Sequence, residues 1–214
     1  TVVAKPAPQT PRVAAFAVAL AKQAGIPDGA LQLVIGGAEA GAALTGDARV
    51  MGVAFTGSTG TARAIARSLL DDETRPLVPL IAETGGLNAM IVDSTALPEQ
   101  VVVDVVTSAF RSAGQRCSAL RLLLLQEDIA DKTLEMLSGA MDTLTVGAPG
   151  DPRTDVGPVI DTAAYDKLEA YRQSMKSRWI HTIAVPADGH FVAPTALRPD
   201  RMSDMTPHRV GPRP

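Results

Sequence analysis

Two side chains in this sequence have the chemistry to act on a carbonyl. The single cysteine, Cys117, sits in Gly114-Gln115-Arg116-Cys117-Ser118-Ala119-Leu120-Arg121, and a carboxylate, Glu83, lies upstream in Ile81-Ala82-Glu83-Thr84-Gly85-Gly86. A thiolate is a strong nucleophile that can also leave from a tetrahedral centre, and a carboxylate can act as general base. Glycines beside both let backbone approach a ligand closely. Each residue also has a plainer reading. Free cysteines are often small buried hydrophobes, and Glu83 could simply be a charged residue closing a strand. The positive charge of Arg116 and Arg121 favours a reactive thiolate at Cys117, and Glu83, ending an apolar run, stands where a carboxylate can be partly desolvated and work as a base.

Two further stretches could hold a phosphate-bearing ligand. Phe55-Thr56-Gly57-Ser58-Thr59-Gly60 follows a strand-like run and opens a helix-like one, where free N–H groups and the helix dipole favour an anion. It has neither the full Gly-x-Gly-x-x-Gly spacing nor a Walker lysine, so a simple strand-to-helix turn is an equal reading. Lys5, just past the first strand, could reach a ribose or phosphate, or be an ordinary surface lysine.

The elements that must position these residues alternate. Helix-like segments run from Pro11 to Ala24, Ser58 to Leu70, Pro98 to Ala113, Asp128 to Leu144 and Asp161 to Lys176. Strand-like ones cover Leu31 to Ile35, Val50 to Phe55, Leu77 to Ile81, Asn88 to Val92 and Leu120 to Leu125. Asp93-Ser94-Thr95 offers cap residues before the helix at Pro98, and Gly147 to Pro158 reads as a turn region. After Ser177 the periodicity weakens. This alternation predicts an α/β fold with a largely parallel sheet and ligand sites at the carboxyl ends of its strands.

With 214 residues, 46% hydrophobic, the chain has ample apolar content for a core, as one large domain or two small ones. A net charge of −3 without a dense Lys/Arg run argues against a nucleic-acid partner. One cysteine and three scattered histidines make neither a disulfide framework nor a zinc site. No leader and no apolar span of about 20 residues stands out, so the expectation is a cytoplasmic protein without a membrane span. The start at Thr1 inside an apolar run suggests a fragment.

Together these residues resemble the aldehyde dehydrogenase superfamily. Lys5-Pro6-Ala7-Pro8-Gln9-Thr10-Pro11, Phe55-Thr56-Gly57-Ser58-Thr59, Glu83-Thr84-Gly85-Gly86, Gly114-Gln115-Arg116-Cys117 and Phe191-Val192-Ala193-Pro194-Thr195 are similar to its successive signatures, in order. Residues 82–94 and 101–121 look most like the dehydrogenase domain of bifunctional proline-utilisation enzymes, which oxidises L-glutamate γ-semialdehyde, the hydrolysed form of pyrroline-5-carboxylate, to glutamate with NAD. The resemblance implies part of a Rossmann-like cofactor domain over residues 1–83, followed by most of an α/β catalytic domain over 84–214. It implies Cys117 as nucleophile, its own N–H as one oxyanion donor, and Glu83 as the base that activates the hydrolytic water. Ser118 would bind the substrate carboxylate, Gly57 and Ser58 the cofactor pyrophosphate, and Lys5 the adenosine ribose. The partners implied are a small aldehyde and the other parts of a larger bifunctional polypeptide.

Departures from the family pattern bear on this. Pro8 stands where members usually carry the Glu that grips the ribose hydroxyls, so NAD is expected with NADP not excluded. Thr206-Pro207-His208-Arg209-Val210-Gly211-Pro212 falls where members have Glu-Val-Phe-Gly-Pro, whose Glu holds the nicotinamide ribose. The match, Val2 to Pro212, covers only the middle of a family member, without the segment bearing the oxyanion-hole Asn. An alternative expectation is therefore a non-catalytic remnant, at most a nucleotide-binding or packing module, with sheet edges left unpaired.

Overall fold

A computed structural model describes residues 1–71, 73 and 75–201, so the motif at Thr206 to Pro212 lies outside the described residues. The chain divides into two compact units, Thr1–Thr84 and Gly85 onward.

The first unit contains two parallel strand pairs, each with a helix between its strands. β1 (Val2–Ala4) pairs with β2 (Leu31–Leu33) around α1 (Pro11–Gln23), and β3 (Val53–Gly57) pairs with β4 (Leu80–Thr84) around α3 (Thr59–Leu70). Between β2 and β3 lies α2 (Ala38–Gly46). Pro11 opens α1 at the first turn, where its missing N–H costs nothing. The strand expected over Leu77 to Ile81 begins only at Leu80, because Pro79 has no N–H to give a ladder; its carbonyl instead accepts from the Val53 N–H at 2.9 Å. Its partner likewise starts at Val53 rather than Val50. Arg75, only 8% exposed, ties the turn before β3 together by donating to the carbonyls of Thr45 (2.9 Å) and Val50 (2.6 Å). In the same turn the Arg49 guanidinium, hydrogen-bonded to Asp47, holds that carboxyl well below the usual carboxylate range, with the charge of Arg75 adding to the effect.

The second unit is built on β5 (Asn88–Val92) and β6 (Leu120–Leu125), a parallel pair covered on one face by α4 (Pro98–Phe110) and α5 (Glu127–Asp142). Alternation along β5 turns Val92 inward and leaves Ile91 81% exposed on the other face. Val101, Val102 and Val105 of α4 meet Leu137 and Met141 of α5, recurring at the three- and four-residue steps of a helix face, and Met141 is fully buried. α6 (Thr162–Ser174), capped by Asp161, leads to the antiparallel pair β7 (Trp179–Thr182) and β8 (Thr195–Leu197). The Arg172 guanidinium stacks 4.4 Å from the Trp179 ring centre and bonds Glu169, holding its carboxyl below the ordinary range.

Three expectations need correction. Instead of one largely parallel sheet, the described strands form separate pairs, three parallel and one antiparallel. The helix from Pro98 stops at Phe110 rather than Ala113, because the chain turns left-handed at Ser112. Asp93 spends its carboxylate on Thr95, so the position before Pro98 is Leu97, without a side-chain cap.

Met141 makes the packing testable. Met141→Ala is expected to lower stability by about 2–5 kcal/mol in urea unfolding of the full chain. A midpoint unchanged from wild type would contradict a core centred there.

Candidate active site

Cys117 lies in the turn that enters β6. The turn is closed by the Ala119 N–H donating to the Arg116 carbonyl (3.1 Å), which makes Cys117 and Ser118 its central residues. Arg116, Cys117 and Ser118 are exposed, whereas Ala119 and Leu120 are buried, so the turn stands on a fixed base with its tip open.

The segment before the turn is strained. Ser112 (φ 56°), Ala113 (φ 52°) and Gly114 (φ 66°) are consecutively left-handed, a conformation that costs roughly 1–2 kcal/mol per residue with a side chain. Side chains hold it in place. The Gln115 amide donates to the Ser112 carbonyl (3.0 Å) and its oxygen accepts from the Ile160 N–H (2.8 Å), while Arg121 donates to the Gly114 carbonyl. Arg121 can turn back because the β5–β6 register slips by one residue there: Asn88 pairs with Leu120, but Ala89 pairs with Leu122. Burial pushes the Arg121 guanidinium below its ordinary value. A Cβ on Gly114 would lie 2.8 Å from the Ala109 carbonyl and 2.9 Å from the Arg121 guanidinium, so this position requires glycine for space as well as for φ.

From β5, the Asn88 amide nitrogen donates to the carbonyls of Cys117 (2.7 Å) and Ala119 (2.9 Å). Neither Asn88 nor the role of Gln115 stands out by residue type or spacing in the sequence. A polar amide opening an apolar strand was the available signal for Asn88.

In the first unit, Lys5 follows β1, and its ammonium rests on the carbonyls of Pro6 (2.8 Å) and Gly36 (3.3 Å), at the carboxyl ends of β1 and β2. Gly57 ends β3, where a Cβ would come within 2.4 Å of the Phe55 ring. Ser58 is the N-cap of α3: its hydroxyl accepts from the Thr61 N–H (2.9 Å) and donates to the Thr61 hydroxyl (2.8 Å). Glu83 is opposite Thr56 in the β3–β4 ladder, so it shares the carboxyl end of that pair with Gly57 and Ser58. It is exposed rather than partly desolvated, because alternate positions of β4 lack cover on that side.

A cavity of about 600 Å³ in the second unit does not include Cys117 or Ser118. All six residues of β6 line it, and since successive residues point to opposite faces, it runs along the strand edge not paired with β5. Among the described residues there is no group of three His, Cys, Asp or Glu side chains able to hold a metal ion, and no helix long and apolar enough to cross a membrane.

Residues 1–208 match the aldehyde dehydrogenase family, and the chain belongs to it. It is 50% identical over 226 residues to the bifunctional protein PutA of Escherichia coli (strain K12), a match covering 99% of this chain and 17% of that one. Against the 1-pyrroline-5-carboxylate dehydrogenase of Bacillus subtilis (strain 168) the identity is 35%, over 91% of this chain and 39% of the relative. The fold superposes on the crystal structure of a Bradyrhizobium japonicum proline utilization A (PutA) mutant with a TM-score of 0.94 at 55% identity, covering 99% of this chain and 22% of that one. The chain thus spans well under half the length of these relatives.

Gly114→Ala should lower stability by about 1–3 kcal/mol, read from the urea midpoint, since it places a Cβ at a positive φ against a carbonyl. A neutral substitution would contradict the geometry of this segment.

Proposed function

We propose that this chain carries nucleophile, base and nucleotide-binding elements for NAD-dependent oxidation of L-glutamate γ-semialdehyde to L-glutamate, within a larger bifunctional protein of proline catabolism. The observation that carries the reading is the chain's sole thiol, exposed at the tip of a turn whose backbone is fixed by surrounding hydrogen bonds. Exposure gives an aldehyde access, and the fixed backbone offers the Cys117 N–H to the oxyanion that forms on attack. Cys117 adds to the aldehyde carbon as a thiohemiacetal, and after oxidation the acyl group remains on sulfur as a thioester. Glu83, in solvent at the end of β4, takes a proton from the water that cleaves the thioester and releases glutamate. Ser118, beside Cys117 in the turn, has a hydroxyl to offer the substrate carboxylate.

The nucleotide elements fit the first unit. Thr61 N–H is taken by Ser58 and Ala62 N–H by the Ser58 carbonyl, which leaves the Thr59 and Gly60 N–H groups of α3 for a pyrophosphate. Ser58 contributes chiefly by capping this turn, Gly57 keeps it low, and Lys5 retains a proton for a ribose hydroxyl. When bound, the nicotinamide accepts the hydride that leaves the thiohemiacetal carbon. NAD is the proposed cofactor, with NADP as the alternative because Pro8 supplies no carboxylate against a 2′-phosphate. A cytoplasmic setting suits a catalytic thiol that must stay reduced.

Among the described residues β6 has no strand on its second edge, and this with the bare face at Ile91 favours a second reading, a folded module that binds nucleotide without turning over. Incubating the purified chain with glutamate γ-semialdehyde and NAD separates the two. The first reading expects NADH formation that Cys117→Ala reduces to background, by at least about 10³-fold. Undiminished NADH formation in that variant would refute Cys117 as nucleophile, and NAD binding without any NADH would select the second reading.

A further inference from the structure

We infer that Asn88 is the positioning residue for the Cys117 nucleophile, its one amide nitrogen fixing the turn at the carbonyls on both sides of Ser118; this rests on the reading of Cys117 as nucleophile. The two acceptors, Cys117 O at 2.7 Å and Ala119 O at 2.9 Å, are both carbonyls, so only the NH₂ end of the amide can face them and both its protons are used. The bond from Ala119 N–H to Arg116 O directs the Arg116 carbonyl into the turn. In a trans peptide the N–H points opposite to the C=O, so the Cys117 N–H is turned outward, towards an incoming oxyanion. Arg116, Cys117 and Ser118 are exposed and so gain little from packing. The turn therefore depends on Asn88 for a tie to the strand beneath it, and Asn88 is placed to make that tie by its pairing with Leu120 at the register slip. Asp at this position has the same shape but no donor, and Ala has neither. The role is one of geometry: Asn88 touches neither the sulfur nor a reacting atom.

The sole cysteine makes the test clean. The 214-residue chain is labelled with iodoacetamide near pH 7, folded and in urea, as wild type, Asn88→Ala and Asn88→Asp, with amide exchange followed at Ala119 and at Leu123 to Leu125. For wild type, labelling faster when folded than in urea supports the nucleophile reading, and labelling no faster refutes that reading by itself. For the variants, the expected result is labelling about tenfold slower than folded wild type, the scale of one or two hydrogen bonds lost, with Ala119 exchange at least about tenfold faster and that of Leu123 to Leu125 unchanged. Unchanged labelling and unchanged Ala119 exchange in folded variants would overturn the inference. So would uniform loss of protection across β6 in both variants, which would make Asn88 a residue of general stability.

Discussion

The candidate active site depends on a ladder that is out of register by one residue. Arg121 is the residue that the slip leaves without a partner on β5, and its guanidinium turns back to the Gly114 carbonyl and supports the left-handed segment before Cys117. The same slip leaves Asn88 at the mouth of the strand pair, beneath the turn. Strain at Ser112 and Ala113 is thus offset by hydrogen bonds from Gln115 and Arg121, while Asn88 holds the turn that follows, and none of these bonds belongs to a regular ladder. The hydrophobic contribution lies further in, where α4 and α5 clamp one face of the pair around Met141 and hold the ladder that the site is mounted on.

The first unit solves a similar problem with less strain. Lys5, Gly57 and Glu83 lie at or next to the carboxyl ends of short parallel strands, and the helix after β3 starts with its own cap, so its first N–H groups face outward from a fixed turn. Gly57 has no unusual φ, and a Cβ there would meet the tip of the Phe55 ring, which would have to swing aside. Arg75 holds the connection into β3 through the carbonyls of Thr45 and Val50.

Much of this was legible in the sequence, for physical reasons. The limits of β5 and β6 followed from short, mostly apolar runs, interrupted only by Asn88 and Arg121, and the α1 start from Pro11. Where the sequence misled, backbone chemistry prevailed over side-chain pattern: Pro79 delayed β4, and the left-handed segment at Ser112 ended α4 early although Ser112 and Ala113 are acceptable helix residues. The thiol and its neighbours could be found because reactive types are rare in this chain. Asn88 and Gln115 could not, since their function arises from backbone groups distant in sequence, the Cys117 and Ala119 carbonyls for Asn88 and the Ile160 N–H for Gln115, which only the folded chain brings close. The separation of the strands into pairs was hidden for the same reason, since which edges meet is a property of the whole fold.

Whether Cys117 and Glu83 act in sequence on one acyl group is most directly read by trapping that group. The full chain and its Glu83→Gln variant would be mixed with glutamate γ-semialdehyde and NAD, quenched in acid and mapped by mass spectrometry. A glutamyl thioester on the peptide containing Cys117, accumulating to a higher level in Glu83→Gln than in wild type, is the predicted result. No adduct at Cys117 in either chain, or equal accumulation in both, would contradict the assigned roles.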